Sequence, residues 1–467
     1  MSIFKACDIR GAYPDELDEA LYADLGRAIG SVLREGADSP SVVVAGDVRA
    51  STPGLQAALI EGLVATGGRV TDLGLAPTPL AYFAARRLRP DGLAIVTASH
   101  NPAGDNGLKL VLGPLPITEE QMARVERTLA SRRFATGTGS LRRLAMDDEY
   151  VAWLLADARP GHGLRLVLDC GNGTSSDLAP RVLRRLGYDV VELFCTPDGT
   201  FPHRPPNPSM PENLGALRDT VLRTRAALGV ALDGDGDRLA IVDDRGRSLT
   251  GDQAIILLAR HVVGRDDKVV LDLKCSKAVV DAVAACGATP LLERSGHTFI
   301  KTRMITDGAR FGGELSGHFF YRELEGGDDG LYSILRAAEL ARRSDRPLSA
   351  LVDAMPRYAT TPDVRVPYAA GDGPRRLDEI AAAATGEVAR LDGVRIAYPD
   401  GWGLARCSVT EPLLTFRFEA FEGAPRRIAE RFLAPAPDLL RAVRERLDAL
   451  EAVVPGPHRP RVGGAED

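Results

Sequence analysis

The chain has 467 residues, 45% hydrophobic and 26% charged, with a formal net charge of -6. This is an ordinary globular composition, long enough for three or four cores of ~100–200 residues each. The acidic balance argues against a nucleic-acid or anionic-membrane partner, which would call for a basic surface. No apolar run approaches the ~20 residues that span a bilayer, and the first residues lack the pattern of a signal peptide. The six cysteines form no C-x-x-C pair, so neither a zinc site nor a disulfide framework is expected, and a reducing cytoplasm is the expected setting.

The chain opens with Asp8-Ile9-Arg10-Gly11, and an amphipathic helix is predicted over 18–35. A strand over 42–45 runs into Gly46-Asp47, a helical stretch reaches about residue 65, and strand 69–73 and helix 79–88 follow. The apolar strand 93–96 then meets Thr97-Ala98-Ser99-His100-Asn101-Pro102. The residue before a proline is pushed out of the helical region, so regular structure stops there. Ser99 is thereby presented where a strand opens into a loop, with His100 beside it. Gly104 and Gly107 would let the backbone approach a bound group. On its own, a Ser-His pair reads more readily as a local turn.

The same order recurs twice. Strand 164–168 ends in Asp169-Cys170-Gly171-Asn172-Gly173, and after a helix, strand 189–194, a long loop and another helix comes strand 228–232. That strand ends in Asp233-Gly234-Asp235-Gly236-Asp237-Arg238. Next, strand 268–273 ends in Lys274-Cys275-Ser276, followed by a helix, strand 290–293, helix 298–306 and a short strand near 310–312. This one runs into Gly313-Glu314-Leu315-Ser316-Gly317-His318. Three successive strand–helix units with mostly parallel sheets are therefore expected. Ligands bind beyond the carboxyl ends of such strands, so the three loops either converge on one cleft or are unrelated. From about residue 359 the pattern alternates and ends in a helix over 436–450, which reads as an α+β domain. The tail over 455–467, rich in Pro, Gly and charge, is expected to be disordered.

Asp233, Asp235 and Asp237 would share one side of an extended segment. Three carboxylates so placed repel unless a cation sits among them, and hard oxygen ligands suit Mg²⁺ or Ca²⁺. A solvated acidic turn is the other reading. An EF-hand is excluded, because Arg238 and Asp244 stand where its Gly and Glu would be. Glu314, Ser316 and His318 alternate likewise and could hydrogen-bond vicinal hydroxyls, or form a polar turn. Arg406-Cys407-Ser408-Val409-Thr410-Glu411-Pro412 puts a guanidinium and two hydroxyls on a loop, either a phosphate-binding set or a β-turn. Lys109, Lys274 and His297 are expected in loops, where each alone reads as a solvated residue.

Taken in order, T-A-S-H-N-P, D-G-D-G-D-R, G-E-L-S-G-H and R-x-S-x-T-x-P resemble the α-D-phosphohexomutase superfamily over nearly the whole chain. The resemblance implies three consecutive α/β domains of similar topology with mixed sheets plus a C-terminal α+β domain around a central cleft. The domains would cover 1–145, 146–248, 249–357 and 358–467. It implies reversible phosphoryl transfer between C1 and C6 of a hexose through a phosphoserine at Ser99 and a hexose 1,6-bisphosphate. Asp233, Asp235 and Asp237 would hold Mg²⁺, with the Ser99 phosphate as a further ligand. Glu314 and Ser316 would grip sugar hydroxyls with His318 nearby, and Arg406, Ser408 and Thr410 would hold the non-reacting phosphate. Arg10, His100, Lys109, Arg238, Lys274 and His297 match basic residues of the family's cleft, with Lys109 and His297 as acid/base candidates. Glucose 1,6-bisphosphate would act as activator, and the protein would be a monomer or weak dimer. Leu315 resembles the phosphomannomutase/phosphoglucomutase branch, since the phosphoglucosamine mutase branch usually carries Gln there. Cys7 departs from that first branch, which commonly has Tyr at this place. Phosphoglucosamine mutase, a metal-dependent sugar phosphatase and a non-catalytic sugar-phosphate sensor are the competing readings.

Overall fold

Five consecutive residues, Gly92–Val96, are buried on both faces, as a strand covered by helices on each side must be. The structure is a computed structural model describing residues 3–368, 371–408 and 413–453. Gly92–Val96 pairs parallel with Ser41–Gly46 and antiparallel with Asp105–Leu112. The six-stranded sheet runs Asp8–Ala12, Asp105–Leu112, Gly92–Val96, Ser41–Gly46, Arg69–Leu75, Ser140–Arg143. Helix Glu19–Arg34 starts at Asp18, whose carboxylate accepts the Leu21 N–H at 2.7 Å. It buries Tyr22, Leu25, Ala28 and Ile29 in the core of this sheet. Each fully buried Leu or Ile there contributes roughly 1.5–3 kcal/mol.

The second sheet runs Leu239–Asp243, Leu228–Leu232, Arg165–Asp169, Asp189–Leu193. The third runs Thr289–Glu293, Lys268–Asp272, Phe311–Gly313, Phe319–Tyr321, Gly327–Asp328. Each has a parallel centre and antiparallel strands toward one edge, so the sheets are mixed. All three lie in one unit, 1–356. The second unit, from residue 357, is α+β: Leu413–Ala420 pairs with Ala359–Thr360, Val364–Pro367 and Gly401–Cys407. Its core includes Val364, Phe416, Phe418, Phe432 and Val443. Three α/β repeats and an α+β C-terminal part are thus the architecture expected from the sequence. The expectation for 455–467 lies outside the described residues.

Four local expectations need correction. Lys109 is on strand Asp105–Leu112, not in a loop, because Asp105–Leu112 pairs along the whole of Asp8–Ala12. Gly107 is a glycine because a Cβ there would stand 2.3 Å from the Ile9 carbonyl across that pairing. His297 is the first residue of helix His297–Asp307. Arg406 belongs to strand Gly401–Cys407, opposite Thr415. Lastly, neither acidic nor sugar loop is extended: each turns through a glycine with positive φ, +80° at Gly236 and +94° at Gly317.

Candidate active site

The strand Gly92–Val96 delivers Thr97-Ala98-Ser99 from the sheet. The Thr97 hydroxyl donates to Asp47 Oδ2 at 2.7 Å and accepts the Ser99 N–H at 2.8 Å. Ser99 itself is held at φ +52°, a region non-glycine residues rarely occupy. What holds it is Arg49, 1% exposed, which pairs with Asp47 at 3.0 Å. Arg49 donates to the carbonyls of Ser99 at 3.0 Å, Asn101 at 2.7 Å and Asp105 at 2.9 Å. Asp47 and Arg49 escape a sequence reading; the only signal was a polar pair just past a buried strand. So fixed, the Ser99 hydroxyl donates to Asp233 Oδ2 at 2.8 Å and lies 3.3 Å from His100 Nδ1. Burial, then the Arg238 and Arg10 charges, push the His100 pKa well below its ordinary value.

Strand Leu228–Leu232 aims the acidic loop at the same point. The turn closes on Asp233 Oδ1, which accepts the N–H groups of Gly236 at 3.0 Å and Arg238 at 3.1 Å. All three sheets hold this loop. From the first, Thr78 donates its N–H to the Asp235 carbonyl at 2.9 Å and its hydroxyl to Asp235 Oδ2 at 2.6 Å. From the second, Thr174 donates both N–H and hydroxyl to the Gly234 carbonyl at 2.9 Å. From the third, the Gly330 N–H reaches the Gly236 carbonyl at 3.1 Å, and Leu239 N–H bonds the Gly317 carbonyl at 3.0 Å.

Asp233, Asp235 and Asp237 are buried and offer oxygens within 4.8 Å of one another. Lys109 Nζ lies between two of them, 2.7 Å from Asp235 Oδ2 and 2.5 Å from Asp237 Oδ2. Burial alone would lower the Lys109 pKa, but these carboxylates hold it well above the ordinary value, so the ammonium is a fixed charge. Burial, then Asp235 and Asp237, push Asp233 well above the usual carboxylate range. The third carboxylate, Asp233, has Arg238 Nε 3.8 Å from its Oδ2. The outer oxygens Asp235 Oδ1 and Asp237 Oδ1 are buried without a hydrogen-bond partner. Unpartnered buried carboxylate oxygens converging with a third carboxylate fit a hard divalent cation.

Around this centre stand the other expected residues. Arg10 pairs with Asp8 through Nε at 2.8 Å and leaves Nη1 buried without a partner, a donor suited to an anion. Arg238 Nε donates to His318 Nε2 at 2.9 Å, and His318 Nδ1 lies 2.7 Å from Asp328 Oδ2. An imidazole nitrogen that accepts from a guanidinium carries no proton, so by this network His318 bears its proton on Nδ1. Both its nitrogens are occupied within the protein. His297 Nε2, by contrast, is buried without a partner. Burial, then the charge of Lys109, push the His297 pKa down to about 4. Glu314 Oε2 and Ser316 Oγ are likewise buried and unpartnered. Lys274 follows strand Lys268–Asp272 and its N–H bonds Asp272 Oδ1 at 3.0 Å. Cys7 Sγ lies 2.9 Å from Thr298 Oγ1, and burial pushes its thiol up to about 12, so it is a neutral packing group.

In the second unit, Arg406 Nε lies 3.3 Å from Asp392 Oδ2, and the Ser408 N–H bonds the Leu413 carbonyl at 2.7 Å. Thr410 lies outside the described residues.

Four family models match in succession. They are phosphoglucomutase/phosphomannomutase alpha/beta/alpha domains I, II and III and the C-terminal domain, over residues 1–136, 148–246, 250–358 and 364–433. A phosphomannomutase/phosphoglucomutase of Pseudomonas aeruginosa is 37% identical over 426 residues, covering 90% of this chain and 92% of that protein. The chain belongs to the phosphoglucomutase/phosphomannomutase family. A Neisseria gonorrhoeae phosphoglucomutase is 35% identical over 92% of this family member and 96% of its own length. Among solved structures, a phosphoglucomutase/phosphomannomutase family protein from Burkholderia thailandensis superposes with a TM-score of 0.86 at 37% identity. It covers 93% of this chain and 97% of its own. Among the described residues, no helix is long and apolar enough to cross a membrane.

Proposed function

We propose that this phosphohexomutase moves a phosphoryl group reversibly between C1 and C6 of mannose and glucose phosphates, through a phosphoserine at Ser99 and a hexose 1,6-bisphosphate. One observation carries the reading: the Ser99 hydroxyl bonds Asp233 at 2.8 Å, at the edge of a buried three-carboxylate cluster that already holds an ammonium. Asp233, Asp235 and Asp237, with an oxygen of the Ser99 phosphate, would hold Mg²⁺, which would neutralise charge on phosphoryl oxygens as a Lewis acid.

Phosphoryl transfer asks the protein for position and charge rather than for new bonds of its own. The left-handed backbone at Ser99, clamped by Arg49, fixes where the phosphoryl group is delivered. Lys109 is a cation under the transferring group, and Arg10 Nη1 and Arg238 supply further donors. His297, neutral at pH 7 with its Nε2 unpartnered, takes the proton of the attacking sugar hydroxyl and returns it in reverse. His100, kept neutral by burial, keeps the Ser99 hydroxyl in orientation. Glu314 and Ser316 bond sugar hydroxyls, and His318 positions Arg238. Lys274 binds substrate, and Arg406, Ser408 and Thr410 bind the non-reacting phosphate.

The working domains in this reading are 1–145, 146–248, 249–357 and 358–467. The setting is the cytoplasm, the partners are small hexose phosphates, and the chain acts as a monomer or weak dimer. Glucose 1,6-bisphosphate serves as activator by rephosphorylating Ser99. The test is a coupled assay on mannose 1-phosphate and glucose 1-phosphate with Mg²⁺ and a trace of the bisphosphate, with free phosphate followed in parallel. Formation of both 6-phosphates without phosphate release supports the reading. Steady phosphate release would identify a phosphatase, and turnover of glucosamine 6-phosphate in preference to both sugars a phosphoglucosamine mutase.

A further inference from the structure

Two parallel strands of the second sheet, Arg165–Asp169 and Asp189–Leu193, end side by side. Just beyond them stand Cys170 and Cys195, with their sulfurs 3.1 Å apart. Cys195 Sγ is directed inward, 3.3 Å from the Leu193 carbonyl and 3.7 Å from the Leu168 carbonyl, so its rotamer already faces Cys170. Cys170 is 1% exposed, whereas Cys195 is half-buried. The backbone around both is clamped. Cys170 N–H bonds the Leu193 carbonyl at 3.1 Å, Asn172 N–H the Phe194 carbonyl at 2.8 Å, and Asn172 Nδ2 the Thr196 carbonyl at 2.8 Å. Asn172 and Phe194 hold φ +58° and +53°, so the segment has little freedom to carry the sulfurs apart.

We propose that Cys170 and Cys195 form a peroxide-responsive dithiol, which closes to a disulfide and slows the mutase, and which a dithiol reductant reopens. This rests on the mutase reading only for its activity readout. Cys195, the less buried of the two residues, attacks one oxygen of hydrogen peroxide as its thiolate. The O–O bond breaks, the departing hydroxide takes a proton to become water, and Cys195 becomes a sulfenic acid. Cys170 sulfur then attacks Cys195 sulfur, its own proton and the sulfenic hydroxyl leave as a second water, and the S–S bond forms. Two thiols are oxidised by two electrons and one peroxide is reduced to two waters.

Turnover responds because of what lies next to Cys170. The Cys170 carbonyl accepts the Gly173 N–H at 2.9 Å, and the following Thr174 holds the Gly234 carbonyl between Asp233 and Asp235. Gly173 packs so close that a Cβ would stand 2.8 Å from the Gly234 carbonyl. Closing the sulfurs from 3.1 Å to an S–S length of about 2.05 Å pulls this buttress toward Cys195. A misplacement of ~1 Å in a catalytic constellation costs up to ~10²-fold in rate.

The experiment treats the full-length holoenzyme with hydrogen peroxide, quenches, and maps peptides without reduction while mutase flux is measured. The expected result is a 170–195 cross-linked peptide lighter by two hydrogens, with flux reduced by about 10-fold or more and restored by dithiothreitol. Cys195→Ser and, independently, Cys195→Ala should show ordinary flux before peroxide and keep it afterwards. Absence of the cross-link overturns the dithiol. A cross-link with unchanged flux, or an equal loss in both Cys195 variants, overturns its control of the enzyme. No flux in any untreated sample on any hexose phosphate would instead fail the mutase reading, while the peptide map still decides the cross-link.

Discussion

At Ser99 the proposed phosphoryl carrier, a left-handed backbone and a carboxylate meet, and each can be removed separately. Ser99→Ala should abolish mutase flux by ~10³-fold or more while leaving thermal stability near wild type, as checked by assay and calorimetry. Lys109 calls for a different expectation. Removing one partner of a buried ion pair costs ~3–5 kcal/mol, because the other charge is left uncompensated. Lys109→Met should therefore destabilise the chelator-treated protein by about that amount, and Mg²⁺ should restore much of it, since the cation substitutes for the missing ammonium. His297 gives the pH dependence. Its pKa is about 4 folded against an ordinary 6.5, so between these values the unfolded chain binds the extra proton. Stability contributed by neutral His297 is present above pH 6.5 and is lost as pH falls toward 4. Denaturant titrations at pH 7 and pH 5 should show a smaller difference for His297→Asn than for wild type.

Turns and strands, rather than single side chains, decide where the carboxylates point. Gly236 sits at φ +80°, and a Cβ there would stand 2.1 Å from the buried Ser175 hydroxyl. Gly236→Ala should open this turn and weaken Mg²⁺ binding at least ~10-fold by isothermal titration, with flux falling alongside. The composition D-G-D-G-D was legible as a cation site, but its conformation was not. Alternation suggested an extended strand, whereas the glycine supplied a turn that wraps Asp233 Oδ1 onto two backbone N–H groups. Long periodic stretches, such as helix Glu19–Arg34 and strand Leu228–Leu232, were readable because burial and period agree in them. Strand Asp105–Leu112 was not, because Asp105, Asn106 and Gly107 look like loop residues. They are in a strand because Asp8–Ala12, nearly a hundred residues earlier, pairs with them. Lys109 was singled out as a basic residue of the resembled family's cleft, but its position on a strand beside the carboxylates depends on that non-local pairing. Asp47 and Arg49 were missed for the same reason: their importance lies in carbonyls some fifty residues away.

Across the whole first unit, the acidic loop is the place where segments of all three α/β repeats meet. Thr78, Thr174 and Gly330 reach it from different parts of the chain, and Gly317 accepts from Leu239 just after it. A ligand bound at such a junction stabilises all its supports together, by ~2.7 kcal/mol when present at 100 times its dissociation constant. Adding Mg²⁺ to chelator-treated protein should therefore slow amide exchange at Thr78, Leu239 and Gly330 in concert, and raise the single unfolding midpoint of the unit. Protection confined to Gly236 and Arg238 would show that the sheets do not share the load. The same arrangement bears on synthesis. When Asp237 leaves the ribosome, the residues that close the loop from the third sheet do not yet exist. At ~5–20 residues per second, Gly330 is added roughly 5–20 s later. During that interval the Gly236 carbonyl lacks the Gly330 N–H that holds it in the finished chain. On the proposed reading the site is completed late in translation, and a truncated chain ending before the third sheet should show neither mutase flux nor release of phosphate in the coupled assay.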